Sequence, residues 1–97
     1  MPRKSASDAE NRLTGTQSIE RALLLLREIA AHNRTGSRLL DLATRTGLQR
    51  PTVHRMLKCL TLENIVQQDP DTHRYYLGSM IFELGLTAAP RFNLRDI

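Results

Sequence analysis

Two short amphipathic segments on either side of Gly47 constrain the fold more than any other feature of the sequence. The first predicts a helix of about nine residues, capped by Ser37, whose inward face consists of Leu39, Leu40, Leu42 and Ala43. Gly47 is expected to end this helix, because glycine takes the left-handed conformation of a helix C-terminus without steric penalty. A second helix is predicted a few residues later. Two short helices joined by a glycine turn are typical of a helix-turn-helix.

The helix that follows Gly47 has one apolar and one cationic face. Pro51 suits the first helical position, so Arg50 is the predicted N-cap, and Asn64 is expected to end the helix in the left-handed conformation. At 100° per residue, the apolar stripe consists of Val53, Met56, Leu57 and Leu60. The opposite face carries Pro51, His54, Arg55 and Lys58. Residues 38–58 hold five basic side chains and one acidic side chain, so this segment alone carries the +4 net charge of the chain. Such a local positive charge favours a polyanionic partner.

Three further elements surround this pair of helices. A first helix, capped by Ser18 and running to about His32, is predicted to bury Ile19, Ala22, Leu23, Leu26, Ile29 and Ala30. A β-hairpin is expected at about residues 65–77, with Pro70 in its turn, and a fourth helix should begin at a Ser79 cap and stop at Pro90. The predicted fold class is therefore mostly α with a small β-hairpin. It is a winged helix-turn-helix with a three-helix core, a two-stranded wing and a C-terminal linker helix.

Composition excludes several other classes of protein. The 97 residues allow one small domain, and no apolar run approaches the ~20 residues that span a bilayer, so no membrane partner is expected. Cys59 is the only cysteine, which rules out an internal disulfide and a cysteine-rich zinc site and favours a cytoplasmic location. The three histidines are scattered and no glycine-rich phosphate loop is present. We therefore predict no catalytic residues, no metal site and no cofactor, and the chain is not expected to be an enzyme.

A cationic helix fits the chemistry of double-stranded DNA. The major groove is about 12 Å wide and admits one helix, so we expect residues 51–63 to enter it and the wing to lie on the backbone or minor groove. The predicted DNA-binding residues are Arg50, Pro51, Thr52, His54, Arg55, Lys58, His73 and Arg74. Arg55 can meet either a base edge or a phosphate, and Thr52 can either reach a phosphate or pack in the core. Lys58 and an exposed Arg74 suit phosphates. The alternative is a winged helix used for protein–protein assembly, which a neutral or apolar helix face would have favoured.

Several runs of sequence together resemble one family. TGLQRPTVHRML, followed by RYYLG and FELG and preceded by SIERALLLL, is similar to the N-terminal domain of IclR-type bacterial transcription regulators over about residues 17–97. The resemblance implies a homodimer on palindromic operators and a separate C-terminal domain that binds a small-molecule effector. Thr52 and Arg55 match DNA-contacting positions of the family. Pro51 stands where serine is frequent, which puts the preferred DNA sequence in doubt. Asn64 stands where glycine is usual, a change that is structurally benign.

The resemblance also suggests how the chain is divided. Residues 1–16 are expected to be a flexible leader, 17–78 the DNA-binding domain, and 79–97 the linker helix and the start of an interdomain segment. The effector domain is absent from this sequence, so we expect the chain to be part of a longer regulator. Leu24 and Ala31 fall opposite the apolar stripe of the first helix, which indicates either a dimer contact or a singly exposed leucine.

Overall fold

The computed structural model describes residues 15–92, and within this range it confirms the predicted fold class. The elements in chain order are α1 (Gln17–Ala31), α2 (Leu39–Thr46), α3 (Arg50–Leu62), β1 (Val66–Gln68), β2 (Tyr75–Leu77), α4 (Ser79–Ala88) and a 3₁₀ turn (Ala89–Arg91). Residues 1–14 of the predicted leader and residues 93–97 of the predicted interdomain segment lie outside the described residues.

One core joins the three helices and the hairpin. α1 contacts α2, α2 contacts α3, and the two strands cover the other side through contacts of β2 with α1 and of β1 with α3. Each of the helices α1 to α3 contributes two buried apolar side chains and each strand contributes one, which are Leu25, Ile29, Leu42, Ala43, Val53, Leu57, Val66 and Tyr75. The two strands pair antiparallel, with Val66 opposite Leu77 and Gln68 opposite Tyr75. This packing fixes the orientation of α3, whose outer face is described below.

The buried face of α1 differs from the predicted one. Leu25 is fully buried, whereas Ile19 and Leu23 are 60% and 47% exposed and Ala30 is exposed as well. The run 22–26 is apolar at every position, so periodicity alone does not define which of its sides faces the core. The contacts of α1 with α2 and β2 select the side that carries Leu25 and Ile29.

The predicted N-caps were wrong by one or two positions in all four helices. The structure places Thr16, Arg38, Gln49 and Gly78 at these positions instead of Ser18, Ser37, Arg50 and Ser79. In α3 the Gln49 carbonyl accepts the Val53 N–H at 3.0 Å, so Arg50 is already helical and Pro51 is the second helical residue. Proline fits there because the first four N–H groups of a helix have no intrahelical partner.

Ser37 belongs to the sheet rather than to a helix cap. Its N–H donates to the Tyr75 carbonyl at 3.1 Å, and the Tyr75 N–H donates to the Ser37 carbonyl at 2.7 Å. These two hydrogen bonds form an antiparallel bridge that extends the hairpin by one residue. Ser37 is also fully buried. Leu40 is 52% exposed, contrary to the prediction. α2 packs through Leu42 and Ala43, and Leu40 lies on its other side.

Two predicted left-handed positions are confirmed. Gly47 has φ 75° and its N–H donates to the Ala43 carbonyl at 2.9 Å, which ends α2 and directs the chain toward α3. Asn64 has φ 61° and follows Glu63, the C-cap of α3. α4 begins after the wing, and Pro90 lies in the 3₁₀ turn that succeeds it. Across residues 15–92 none of the helices has the length and apolar character needed to cross a membrane.

Candidate nucleic-acid interface

α3 presents a polar, cationic face because its opposite face is anchored in the core. Val53 and Leu57 are fully buried, and burial of such side chains stabilises the helix position by about 1.5–3 kcal/mol each. On the opposite side of the helix, His54, Arg55 and Lys58 are exposed. Arg50 and Pro51 are exposed at the start of the helix. These five exposed residues therefore form one outward surface, which we call the cationic face.

The charges of the cationic face are not neutralised inside the domain. α3 contains no aspartate or glutamate. Within residues 15–92, the side chains of Arg50, Arg55 and Lys58 make no hydrogen bond or ion pair with another side chain or with the backbone. Guanidinium and ammonium groups are donors only, so all their N–H groups can meet the acceptors of a ligand. This arrangement suits an anion that lies along the helix.

Thr52 occupies the boundary between the two faces of α3. The residue is partly buried, next to the fully buried Val53. Its position is compatible with both predicted roles, contact with a phosphate and packing at the edge of the core. The prediction for Thr52 therefore stays open.

The wing carries the two other predicted residues in different environments. His73 is exposed and has φ 63°, a left-handed conformation that the sequence did not predict. Arg74 was predicted to be exposed but is partly buried, and its Nη1 donates to the Gly36 carbonyl at 3.4 Å. The reason is the additional bridge between Ser37 and Tyr75, which brings the α1–α2 loop alongside β2. Both residues lie at the end of the hairpin, but Arg74 also contacts the body of the domain.

The turn of the wing is organised by Asp69. The Asp69 carboxylate accepts the N–H groups of Asp71 at 2.8 Å and Thr72 at 2.9 Å, and its backbone N–H donates to the Arg74 carbonyl at 2.9 Å. The hydrogen bonds from the Thr72 and Asp71 N–H groups hold the pKa of Asp69 below its ordinary value of 3.8. The loop around Pro70 is thus a hydrogen-bonded turn.

A notch of about 260 Å³ lies between α3 and the wing, and only two of its six lining residues, His54 and Lys58, were predicted from the sequence as site residues. It is lined by His54, Lys58, Thr61, Leu62, Gln68 and Tyr75. Burial raises the pKa of the Tyr75 phenol above its ordinary value of 10.0. The residue type could have indicated Tyr75, because tyrosine combines an apolar ring with a polar hydroxyl, and a core tyrosine often brings that hydroxyl to the surface. Among residues 15–92, no group of histidine, cysteine, aspartate or glutamate side chains is arranged to hold a metal ion.

Comparisons with known proteins agree with this geometry. The sequence profile of the IclR helix-turn-helix domain matches residues 18–70, from the start of α1 into the turn of the wing. The chain is 39% identical over 79 residues to the glycerol operon regulatory protein of Streptomyces coelicolor, covering 81% of this chain and 31% of that protein. It is 35% identical over 80 residues to the HTH-type transcriptional regulator XynR of Escherichia coli, covering 82% of this chain and 31% of that protein.

A solved structure shows the same arrangement of elements. The IclR transcriptional regulator of Alicyclobacillus acidocaldarius superimposes with a TM-score of 0.70 and 34% identity, covering 75% of this chain and 29% of that one. The chain spans about a third of the length of the curated relatives that it matches. The similarity therefore concerns the helix-turn-helix part of longer regulators.

Proposed function

Because this chain belongs to the IclR family of transcriptional regulators and is a DNA-binding domain of that type, we propose that α3 is its recognition helix. In this proposal α3 enters the major groove of a specific operator, and the wing lies on the backbone or in the minor groove. The observation that carries the proposal is the cationic face, on which Arg50, Arg55 and Lys58 have no partner within the described part of the domain. The family resemblance predicted from the sequence is confirmed.

We assign different tasks to the residues of the cationic face. Arg55 lies near the middle of α3, and its guanidinium can pair bidentately with O6 and N7 of guanine. Lys58 lies closer to the wing and, as a compact charge, suits a phosphate. Arg50, Pro51 and Thr52 at the start of α3, with His54 one turn on, complete the surface that would face the groove. On the wing, His73 and Arg74 would approach the DNA backbone.

We further propose that the domain acts as a homodimer on a palindromic operator. The outer side of α1 exposes Leu23 and Leu24, at 47% and 39%, together with Ile19. Large exposed apolar patches are uncommon on monomers, and a two-fold dimer makes one patch contact its own copy. Leu24 was predicted from the sequence to lie on this side. Two-fold symmetry would place two α3 helices on two inverted half-sites.

The proposed division of the chain follows the sequence prediction. Residues 17–78 would be the DNA-binding domain and residues 79–97 a linker helix and the start of an interdomain segment. A small-molecule effector would then act through a C-terminal domain in the longer regulator, and the protein would work in the bacterial cytoplasm, where operators are found. The exposed Phe82, Leu84 and Leu86 of α4 support a helix that has further contacts in such a protein.

Selection of bound sequences from a random pool of double-stranded DNA tests this function. The expected motif consists of two inverted half-sites, about 10–10.5 base pairs apart from centre to centre or a multiple of that spacing. A single, unpaired half-site would contradict the dimer. The absence of any enriched sequence would contradict operator readout and favour the protein-assembly alternative.

A further inference from the structure

The notch between α3 and the wing adds Gln68 and Tyr75, which the recognition-helix proposal leaves unused, to two donors of the cationic face. His54 and Lys58 are exposed along one side, from the cationic face, and Gln68 is exposed on the opposite side at the end of β1. Tyr75 on β2 pairs with Gln68 and also lines the notch. None of the side chains that line the notch is acidic. A cavity of about 260 Å³ admits a group much larger than a water molecule, which requires about 10–15 Å³.

The Tyr75 hydroxyl is available to a ligand although its ring belongs to the core. The residue is 7% exposed, and the structure gives its phenol no hydrogen-bond partner within residues 15–92. In the same range no fully buried side-chain oxygen or nitrogen lacks a partner, so the unpaired Tyr75 Oη must reach solvent at the notch. A phenol with the ordinary pKa of 10.0 is already protonated at neutral pH, and burial raises the pKa of Tyr75 further, so its hydroxyl can donate.

Two other polar groups of the notch are oriented by hydrogen bonds. The Thr61 hydroxyl donates to the Leu57 carbonyl at 2.7 Å, which leaves its oxygen as an acceptor. Gln68 Nε2 donates to the His73 carbonyl at 3.1 Å, and its second N–H remains free to donate. The notch therefore presents the ammonium of Lys58 and neutral N–H and O–H donors around one space.

We infer that this notch binds one backbone phosphate of the DNA, with Tyr75 Oη as a neutral donor between Lys58 on α3 and Gln68 on the wing. This inference rests on the proposed function, since it names a contact of the same interface. A phosphodiester offers charged acceptor oxygens, which match a donor-rich site without a carboxylate. The contact would fix the register of the domain on the duplex without reading sequence.

Tyr75→Phe tests the inference because it removes only the hydroxyl. The dissociation constants for the selected operator and for a scrambled duplex would be measured across a salt series. We expect both to rise about tenfold, the effect of losing one hydrogen bond to a charged group. The dependence of affinity on salt should stay unchanged, because a neutral donor releases no counterion, whereas Lys58→Ala should lower the slope of log K against log salt by about one. The melting temperature should not fall, since the hydroxyl has no partner in the described structure.

Tyr76→Phe is the matched control on the other face of β2. The Tyr76 hydroxyl donates to the Thr35 carbonyl at 3.2 Å, on the side of the α1–α2 loop. Its loss should reduce stability slightly and leave DNA affinity unchanged. If Tyr75→Phe binds both duplexes like the wild type while Lys58→Ala weakens binding, the notch assignment is wrong and the proposed function stands. If the wild type binds no DNA, both are wrong.

Two additional measurements locate the phosphate and identify its source. In the first, single backbone phosphates of the operator are replaced, one at a time, by a neutral methylphosphonate. At one position in each half-site, this replacement should make the dissociation constants of the wild type and Tyr75→Phe equal. If Tyr75→Phe binds more weakly than the wild type whichever phosphate is replaced, the inference is overturned. Inorganic phosphate, titrated into the protein and followed by NMR, should cause no saturable shift of the Tyr75 and His54 signals at millimolar concentration. A saturable shift, combined with unchanged DNA affinity of Tyr75→Phe, would assign the notch to free phosphate and overturn the DNA contact.

Discussion

Gly36→Ala should destabilise the domain because the α1–α2 loop and the wing meet at this residue. Gly36 has φ 80°, a conformation that disfavours other residues by about 1–2 kcal/mol. An added Cβ would lie 2.6 Å from Cζ of Tyr76 and 2.9 Å from Cβ of Arg74, so the ring must move. Its movement breaks the hydrogen bond to the Thr35 carbonyl, worth about 1 kcal/mol, and loosens packing. We expect a total loss of about 2–4 kcal/mol in the free energy of unfolding.

Gly47→Ala provides the control, because Gly47 shares the left-handed conformation of Gly36 but an added Cβ would meet no neighbouring side chain. Gly47 has φ 75°, and nothing lies within 4 Å of an added Cβ. Its loss should be limited to the conformational contribution of about 1–2 kcal/mol. Urea unfolding followed by circular dichroism measures both variants. Equal destabilisation of the two would show that contact between the loop and the wing contributes nothing, which would refute the reasoning.

Three further predictions concern the core, the dimer and the wing turn. Leu57→Ala, at a fully buried position of α3, should lower the unfolding free energy by about 2–5 kcal/mol in urea titrations, and a loss below 1 kcal/mol would contradict its place in the core. Leu24→Glu should convert the proposed dimer into a monomer in sedimentation experiments while the circular dichroism spectrum stays unchanged, and a persistent dimer would exclude this side of α1 as the dimer contact. Because the pKa of Asp69 is lowered, its hydrogen bonds to the N–H groups of Thr72 and Asp71 stabilise the turn above about pH 4 and are lost as the pH falls through the lowered value. Hydrogen exchange of these two amides should accelerate in acid relative to the strand amides, and a uniform response would argue against this role.

Local signals in the sequence predicted the elements that depend on neighbouring residues. Gly47 and Asn64 marked the ends of α2 and α3 because left-handed conformations are restricted to few residue types. The apolar stripe of α3 alternates with charged residues, so its periodicity defined both the buried Val53 and Leu57 and the exposed Arg55. The cationic face could therefore be predicted before the structure.

Features that depend on distant residues could not be predicted. The five consecutive apolar residues 22–26 allow more than one buried face, and only packing against α2 and β2 selects Leu25. Ser37 pairs with a residue 38 positions later, which no local pattern indicates. The notch likewise combines Tyr75 from β2 with His54 from α3, and their proximity follows from the way the hairpin folds back on the helix.

The most direct test of base readout by α3 is the effect of Arg55→Ala on the preference for operator over scrambled DNA, measured across a salt series beside Lys58→Ala. If Arg55 contacts a base, its loss should reduce this preference by about 1–3 kcal/mol and relax the selected sequence at one position of each half-site. Lys58→Ala should weaken binding to both duplexes alike and lower the salt slope by about one. If Arg55→Ala weakens both duplexes equally, Arg55 contacts a phosphate and base readout by this residue is contradicted. If neither substitution changes binding, α3 is not the recognition helix.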